Sequence, residues 1–307
     1  MSGRVWSETR WGLWLHADRP LAVLSELAGT AEDLGAAAIL VADEGTDRDL
    51  YITLAALAER TTRVLLMGAV TNPHSRHPVA TAAAFASLAE LAPGRIVAGF
   101  GAGGTRVFDP LGLRPARPFT ALRECVDVVD SLLRGHTVSH RGEFIAQAQL
   151  PWSASALPIA IAGRGPRVER LAAERADWVL LAGRPIGGAA DLVRRLRALG
   201  VAARGRSAAI AWNPNVAWTP PMRDDVLSHL SYMLVDMPEG ERVAPAAVLE
   251  RFAVTGSRSD VVQRLAQLRR DVAPELFVFD AYDYSVAFLH ELADLVAEAG
   301  VVHGGTK

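Results

Sequence analysis

Short apolar runs alternate with longer segments of helical period along almost the whole chain. The runs at 11–16, 38–42, 63–70, 95–100, 157–162, 177–181, 207–212 and 275–280 read as strands. The segments at 20–34, 49–60, 77–91, 118–133, 166–175, 189–199, 260–272 and 286–299 read as helices. Residues 221–252 read as helical with breaks at Pro238 and Pro245. A polar stretch at 135–155 contains SHRGEF, which predicts a hairpin turn. Strands apolar at successive positions are buried on both faces, as in a parallel sheet covered by helices. Eight strand–helix units therefore predict an α/β fold, a (β/α)8 TIM barrel. A doubly wound sheet is the competitor, but its first helix should open with G-x-G-x-x-G, and the first turn here is HADRPL. The expectation is a single domain over 1–307, with 135–156 inserted between two units.

Chemistry in such a barrel sits at the C-terminal ends of the strands. That rim carries His16, Asp43 and Glu44, then Val70 to Pro73, then Gly101 to Gly104. It continues with Gly163-Arg164-Gly165-Pro166, Ala182 to Arg184, Asn213 and Asn215, and Asp280 and Tyr282. The Gly163–Pro166 turn ends a strand and opens a helix. Glycine lets backbone amides approach an anion, and a helix N-terminus favours negative charge. Arg164 could add a fork of donors, or the motif could be only a tight turn. GFGAGG at 99–104 leaves room for a flat ligand against the backbone, or forms a plain loop. His16, Asp43 and Glu44 are the titratable candidates for proton transfer. Asp43 could instead cap the following segment, and Asp49 could pair with Arg48 or a neighbour.

Composition narrows the field. Of 307 residues, 50% are hydrophobic and 21% charged, which is far from the disordered corner. Lys and Arg total 32 against 34 Asp and Glu, a net charge of −2, so there is no basic field for nucleic acid or an anionic membrane. The single cysteine, Cys125, forms neither an internal disulfide nor a paired-cysteine metal site, and it reads as a buried helix residue. No apolar run is long enough for a membrane span, and the first twenty residues lack a signal-peptide core. Cytoplasmic location is the default. No metal cluster, P-loop, HExxH or Ser-His-Asp order stands out.

Three motifs in order and spacing, TNPHSRHP, LAPGRIVAGFGAGG and AGRGPR, resemble the bacterial luciferase-like flavin and deazaflavin oxidoreductase superfamily. The resemblance runs from Trp11 to about Ala299, and TNP after the third strand is most similar to the methylenetetrahydromethanopterin reductase branch, which uses coenzyme F420. It implies a luciferase-like barrel with a deazaflavin, or alternatively FMN, at the strand C-termini. It also implies a non-prolyl cis peptide at Ala69–Val70, forming a bulge behind the ring. Asp43, Thr71 and Asn72 would then lie by the cofactor, Gly101, Ala102 and Gly103 beside it, and Ala162, Gly163, Arg164, Gly165 and Pro166 around its phosphate. Trp14 and Gly104 stand where that branch often carries acids, which leaves His16 and Glu44 as the catalytic candidates and argues for a different substrate. The implied activity is F420-dependent hydride transfer to a small molecule with a C=C or C=N bond. The alternatives are an FMN-dependent luciferase-like monooxygenase and a non-catalytic cofactor-binding barrel. The resemblance also implies a homodimer.

Overall fold

The computed structural model describes residues 6–153, 156–235 and 245–301. The first half of the chain contains β1 (Arg10–Leu15), α1 (Leu21–Asp33), β2 (Ala38–Val41), α2 (Leu50–Arg60), β3 (Leu65–Gly68), α3 (Pro78–Leu91) and β4 (Ile96–Phe100). A short α4 (Thr105–Phe108) and the long α5 (Pro118–Leu133) follow, then β5 (Val138–Arg141) and β6 (Ile145–Ala148). The second half contains β7 (Ile159–Ala162), α6 (Pro166–Arg175), β8 (Trp178–Leu181), α7 (Ala189–Arg204), β9 (Ala209–Trp212) and β10 (Val216–Ala217). It ends with α8 (Pro220–Val235), α9 (Pro245–Phe252), β11 (Val254–Thr255), α10 (Arg258–Val272), β12 (Leu276–Asp280) and α11 (Val286–Glu298).

Eight strands close into a parallel barrel in the order β1-β12-β9-β8-β7-β4-β3-β2. These are the eight strands expected from the apolar runs, and the fold is a (β/α)8 TIM barrel. Period-two alternation divides each strand between two cores. Leu40, Met67, Val97, Ala160, Leu180, Ala211 and Val278 fill the barrel interior. Their neighbours Ile39, Leu66, Ala98, Ile161, Val179, Ile210 and Phe277 pack against the helices. Both faces are thus apolar, which explains why the strands read as continuous runs.

Several local expectations change. Asp49, not Asp43, caps α2, accepting from the amides of Tyr51 at 2.9 Å and Ile52 at 3.0 Å. Its ion-pair partner is Arg76 at 3.8 Å rather than Arg48. SHRGEF does form a hairpin, with β5 and β6 antiparallel. Glu124 of α5 fastens it by accepting from Glu143 N at 2.7 Å. Pro245 begins a helix, as a first-turn proline can, while Pro238 lies outside the described residues. A small parallel pair, β10 with β11, has no signal in the sequence because each strand has two residues. Cys125 is fully buried, and burial pushes its thiol up to about 12, so it is a packing residue.

Candidate functional site

The barrel order places β1 and β7 on opposite sides of the mouth, and this divides the rim into two chemically distinct halves. Titratable groups gather at the ends of β1, β2 and β12. Glycines gather at the ends of β4 and β7.

On the charged side, the strand ends hold His16 and Glu44 with His16 Nδ1 3.4 Å from Glu44 Oε2. Arg106, from α4, pairs with the same Glu44 oxygen at 2.8 Å. His16 Nε2 faces Asp280 Oδ1 at 3.6 Å, an ion-pair distance but too long for a hydrogen bond. Asp280 is oriented by Asn213, whose Nδ2 donates to Oδ2 at 2.8 Å, and its Oδ1 is buried without a hydrogen-bond partner. His229 of α8 packs edge-on against His16, with ring centroids 4.7 Å apart. Tyr284 holds the backbone, accepting from His16 N at 3.2 Å and donating to His16 O at 3.3 Å. Of these groups, His16, Arg106, His229 and Asp280 border a cavity of about 370 Å³.

Electrostatics follow from that enclosure. Burial alone would lower the His16 pKa, but Asp280 and Glu44 outweigh it and raise the pKa to about 10, so the ring is an imidazolium at neutral pH. Burial opposes the charges on Glu44 and Asp280, yet His16 and its neighbours hold both carboxyls below their usual range. Burial lowers His229, leaving it neutral beside its charged neighbour. His16, His229 and Asp280 bring ligand atoms within 4.8 Å of one another, a set that could also hold a metal ion. The two carboxylates flanking His16 favour a proton there instead.

Asp43 belongs to a different group. Its Oδ2 accepts from the buried Thr71 hydroxyl at 2.6 Å, and Tyr51 Oη lies 3.5 Å from the same hydroxyl. Burial raises the Asp43 carboxyl and pushes the Tyr51 phenol up to about 12. Asn72 folds its own loop, accepting at Oδ1 from His74 N and Ser75 N at 2.9 Å each. The Ala69–Val70 peptide is cis, at the position expected from the resemblance.

The glycine side is shaped by close approach. A Cβ on Gly101 would sit 2.7 Å from Val70 Cγ2, so a side chain there would collide with the bulge. Gly103 lies at φ +82° and Gly165 at φ +88°, conformations that side chains disfavour. Gly165 faces open space and precedes α6, whose first turn no side chain caps. Val70 and Ala162 close the mouth from below together with Trp14. Trp14 Nε1 is buried with no hydrogen-bond partner. The structure thus brings His16 to Glu44 and Asp43 to Thr71, and sets Gly101–Gly103 beside Ala162–Pro166 across the mouth.

Asp280, Asn213 and His229 are contributors that the sequence reading missed. Asp280 and Asn213 stand on the predicted rim with no role assigned, and only the fold shows them meeting His16. His229 sits on α8, where helical period alone cannot tell which turn faces the mouth. A polar residue at the end of the eighth strand was the available signal for Asp280.

Comparison with known proteins fits this geometry. The family model described as luciferase-like monooxygenase matches residues 1–226. The chain belongs to that family. Within the luciferase-like family it is 28% identical over 247 residues to the 5,10-methylenetetrahydromethanopterin reductase of Methanolobus tindarius, covering 80% of this chain and 71% of that one. It is 34% identical over 169 residues to the F420-dependent glucose-6-phosphate dehydrogenase of Nakamurella multipartita, spanning half of each chain. The solved coenzyme F420 dependent tetrahydromethanopterin reductase from Methanopyrus kandleri has the same fold, with a TM-score of 0.74 at 20% identity over 92% of this chain and 97% of that one. Among the described residues, no helix is long and apolar enough to cross a membrane.

Proposed function

We propose that this luciferase-like protein is a coenzyme F420-dependent oxidoreductase, moving a hydride between reduced deazaflavin and a small organic substrate with a C=C or C=N bond. The observation that carries the reading is a half-buried imidazolium, His16, facing a cavity in the same barrel mouth as the glycine-rich ends of β4 and β7. Relatives named for F420 point to the cofactor.

Three features fit such a group. Trp14 Nε1 is a buried donor without a partner, Gly101 lets the backbone pack closely against Val70 so that the bulge can stand behind a ring, and the amino end of α6 opens to free space at Gly165. Val70 would back the ring, with Ala69, Thr71 and Asn72 shaping the bulge and Asp43 fixing Thr71. Gly101, Ala102 and Gly103 would leave room beside it. Ala162, Gly163, Arg164, Gly165 and Pro166 would receive the phosphate. When bound, the deazaflavin supplies or accepts a hydride, and the protein supplies orientation and exclusion of water.

The proton is the protein's part. In the reducing direction, His16 is the catalytic acid, and the proton it delivers sits on Nε2. Asp280 Oδ1, at 3.6 Å, leaves that proton available to a ligand in the cavity. Glu44 holds Nδ1 and stabilises the imidazolium, and Arg106 keeps Glu44 ionised. On this reading the protein works on a small molecule, as a single-domain homodimer in the cytoplasm.

A second reading, an FMN-dependent monooxygenase, draws on the family description. Anaerobic titration with F420 and, separately, FMN, followed by absorbance and fluorescence, tests the choice. Micromolar or tighter F420 binding with weak FMN binding is expected. The reverse preference, with oxygen uptake on reduced FMN, would overturn the F420 reading.

A further inference from the structure

We propose that His16, His229 and Asp280 form a binding site for a divalent transition ion of the zinc type, and that an ion held there switches off the acid at His16. The site stands on its own geometry, and its effect on turnover rests on the oxidoreductase reading.

Three elements that meet only at the mouth supply the donors. His16 follows β1, Asp280 ends β12, and His229 lies on α8. One ligand atom from each, two imidazole nitrogens and a carboxylate oxygen, lies within 4.8 Å of the other two. Zinc bonds to such atoms are about 2.0–2.2 Å long, so two ligands of a tetrahedral ion stand about 3.3–3.6 Å apart. His16 Nε2 and Asp280 Oδ1, at 3.6 Å, already have that spacing. The gap is too long for a hydrogen bond and right for a shared ion. His229 has to close by up to about 1 Å, and its ring already packs against His16 with centroids 4.7 Å apart.

The groups behind these donors are an independent observation. A ligating histidine commonly donates its other ring N–H to a carboxylate, and a ligating carboxylate is itself hydrogen-bonded. Glu44 Oε2 stands 3.4 Å from His16 Nδ1, and Arg106 fixes Glu44 in turn at 2.8 Å. Asn213 Nδ2 donates to Asp280 Oδ2 at 2.8 Å, which leaves Oδ1 to the ion. Asp280 Oδ1 is buried without a hydrogen-bond partner, so the ion takes the place between it and Nε2 rather than approaching it from the cavity. His16, His229 and Asp280 all border the cavity, which leaves a fourth position for water. Imidazole nitrogens select zinc-type ions over magnesium or calcium, which take oxygen ligands.

The ion and the acid proton compete for one nitrogen. In the acid form both ring nitrogens of His16 carry hydrogen. When the ion binds, Nε2 releases its proton to solvent and its lone pair forms the bond to the metal, while Nδ1 keeps its hydrogen toward Glu44. No oxidation state changes. The carboxylates that hold the imidazolium attract a dication in the same place more strongly, because the attraction scales with charge. With Nε2 bound to metal, no proton is left there for a substrate.

Calorimetry on the full chain, stripped of metal, titrates ZnCl2 and, as a control, MgCl2. One Zn2+ per chain is expected, with Mg2+ not bound. Zinc affinity should fall at least about tenfold in Asp280→Asn and in His229→Gln. It should stay unchanged in His140→Gln, whose imidazole pairs with Glu124 at 3.0 Å on the β5–β6 hairpin. His229→Gln, on a helix at the rim, carries the comparison if Asp280→Asn does not fold. Zinc binding absent from the wild type, or equal in the wild type and the triad variants, would overturn the proposal. With reduced F420, Zn2+ should lower turnover and EDTA should restore it. Binding at the triad with turnover unchanged would overturn the switch, and with it the acid role of His16. Zinc binding without F420 binding would instead overturn the cofactor reading and leave the metal site standing.

Discussion

The two ends of the barrel treat buried charge in opposite ways. At the N-terminal end, Glu32 accepts from the amides of Thr62 at 3.0 Å, Arg63 at 2.6 Å and Val64 at 2.9 Å, and from the Thr62 hydroxyl at 3.1 Å. Asp177 accepts from Ile159 N at 3.0 Å, and Glu275 from Ile210 N at 2.7 Å. Each of the latter two is also paired with an arginine, Arg206 or Arg197. These carboxylates pin the entry of a strand and have their acceptor sites filled by the chain. At the C-terminal end, Asp280 Oδ1 accepts no hydrogen bond and faces His16, and His16 sits between acids at distances longer than a strong hydrogen bond. A carboxylate saturated by backbone amides is a structural clamp, whereas Asp280 is held by Asn213 and set against a titratable ring, so its charge acts on His16.

Replacing the central group at each end sharpens that contrast. His16→Ala is expected to lower turnover by about a hundredfold to ten-thousandfold, the range of a lost general acid, with F420 affinity retained. Steady-state rates alongside the cofactor titration measure both, and a fall of less than about tenfold would remove His16 from the acid's role. Glu32→Gln should do the reverse. One oxygen that accepts from backbone amides becomes an NH2 facing them, so stability should fall by about 1–3 kcal/mol. Activity per folded molecule should stay the same. The amides and the Thr62 hydroxyl outweigh burial and hold the Glu32 carboxyl low, so its contribution is present at neutral pH and fades as pH falls through its folded value. Thermal melts across pH would show the variant losing this acid-side dependence.

How far the sequence foretold this contrast depended on range. The eight strands were legible because burial on both faces makes each run apolar, and the helices because they keep their period. The turn from β7 into α6 was legible because Gly163 to Pro166 are contiguous and their conformational demands are local. The pairing of His16 with Glu44 was half legible, since both stand at strand ends, though nothing in the spacing fixed a 3.4 Å approach. Asp280 lies 264 positions beyond His16 and becomes its neighbour only because β12 closes the barrel against β1. His229 depended on how α8 sits over the mouth, which tertiary packing decides. The clamps at the other end were equally invisible, because a lone Glu32 in a helix looks like a solvated surface acid.

The subtlest expected difference between the ends is in alkaline behaviour. Asp280 and Glu44 outweigh the effect of burial and raise the His16 pKa from 6.5 to about 10. The stabilisation from that imidazolium is full below 6.5, where the unfolded ring is also charged, and is lost as pH rises through about 10. Turnover that needs the His16 proton should therefore hold through neutral pH and fall only toward that value. Around the ring, Glu44 and Asp280 raise its pKa, while neutral His229 packs against it and Arg106 is matched by Glu44. Asp280→Asn removes one of the two charges and keeps the side chain's shape, so the alkaline limb of kcat should move to lower pH with the acid limb unchanged. Glu32→Gln, at the far end, should leave that limb in place. A wild-type limb in Asp280→Asn would mean that Glu44 alone holds the proton.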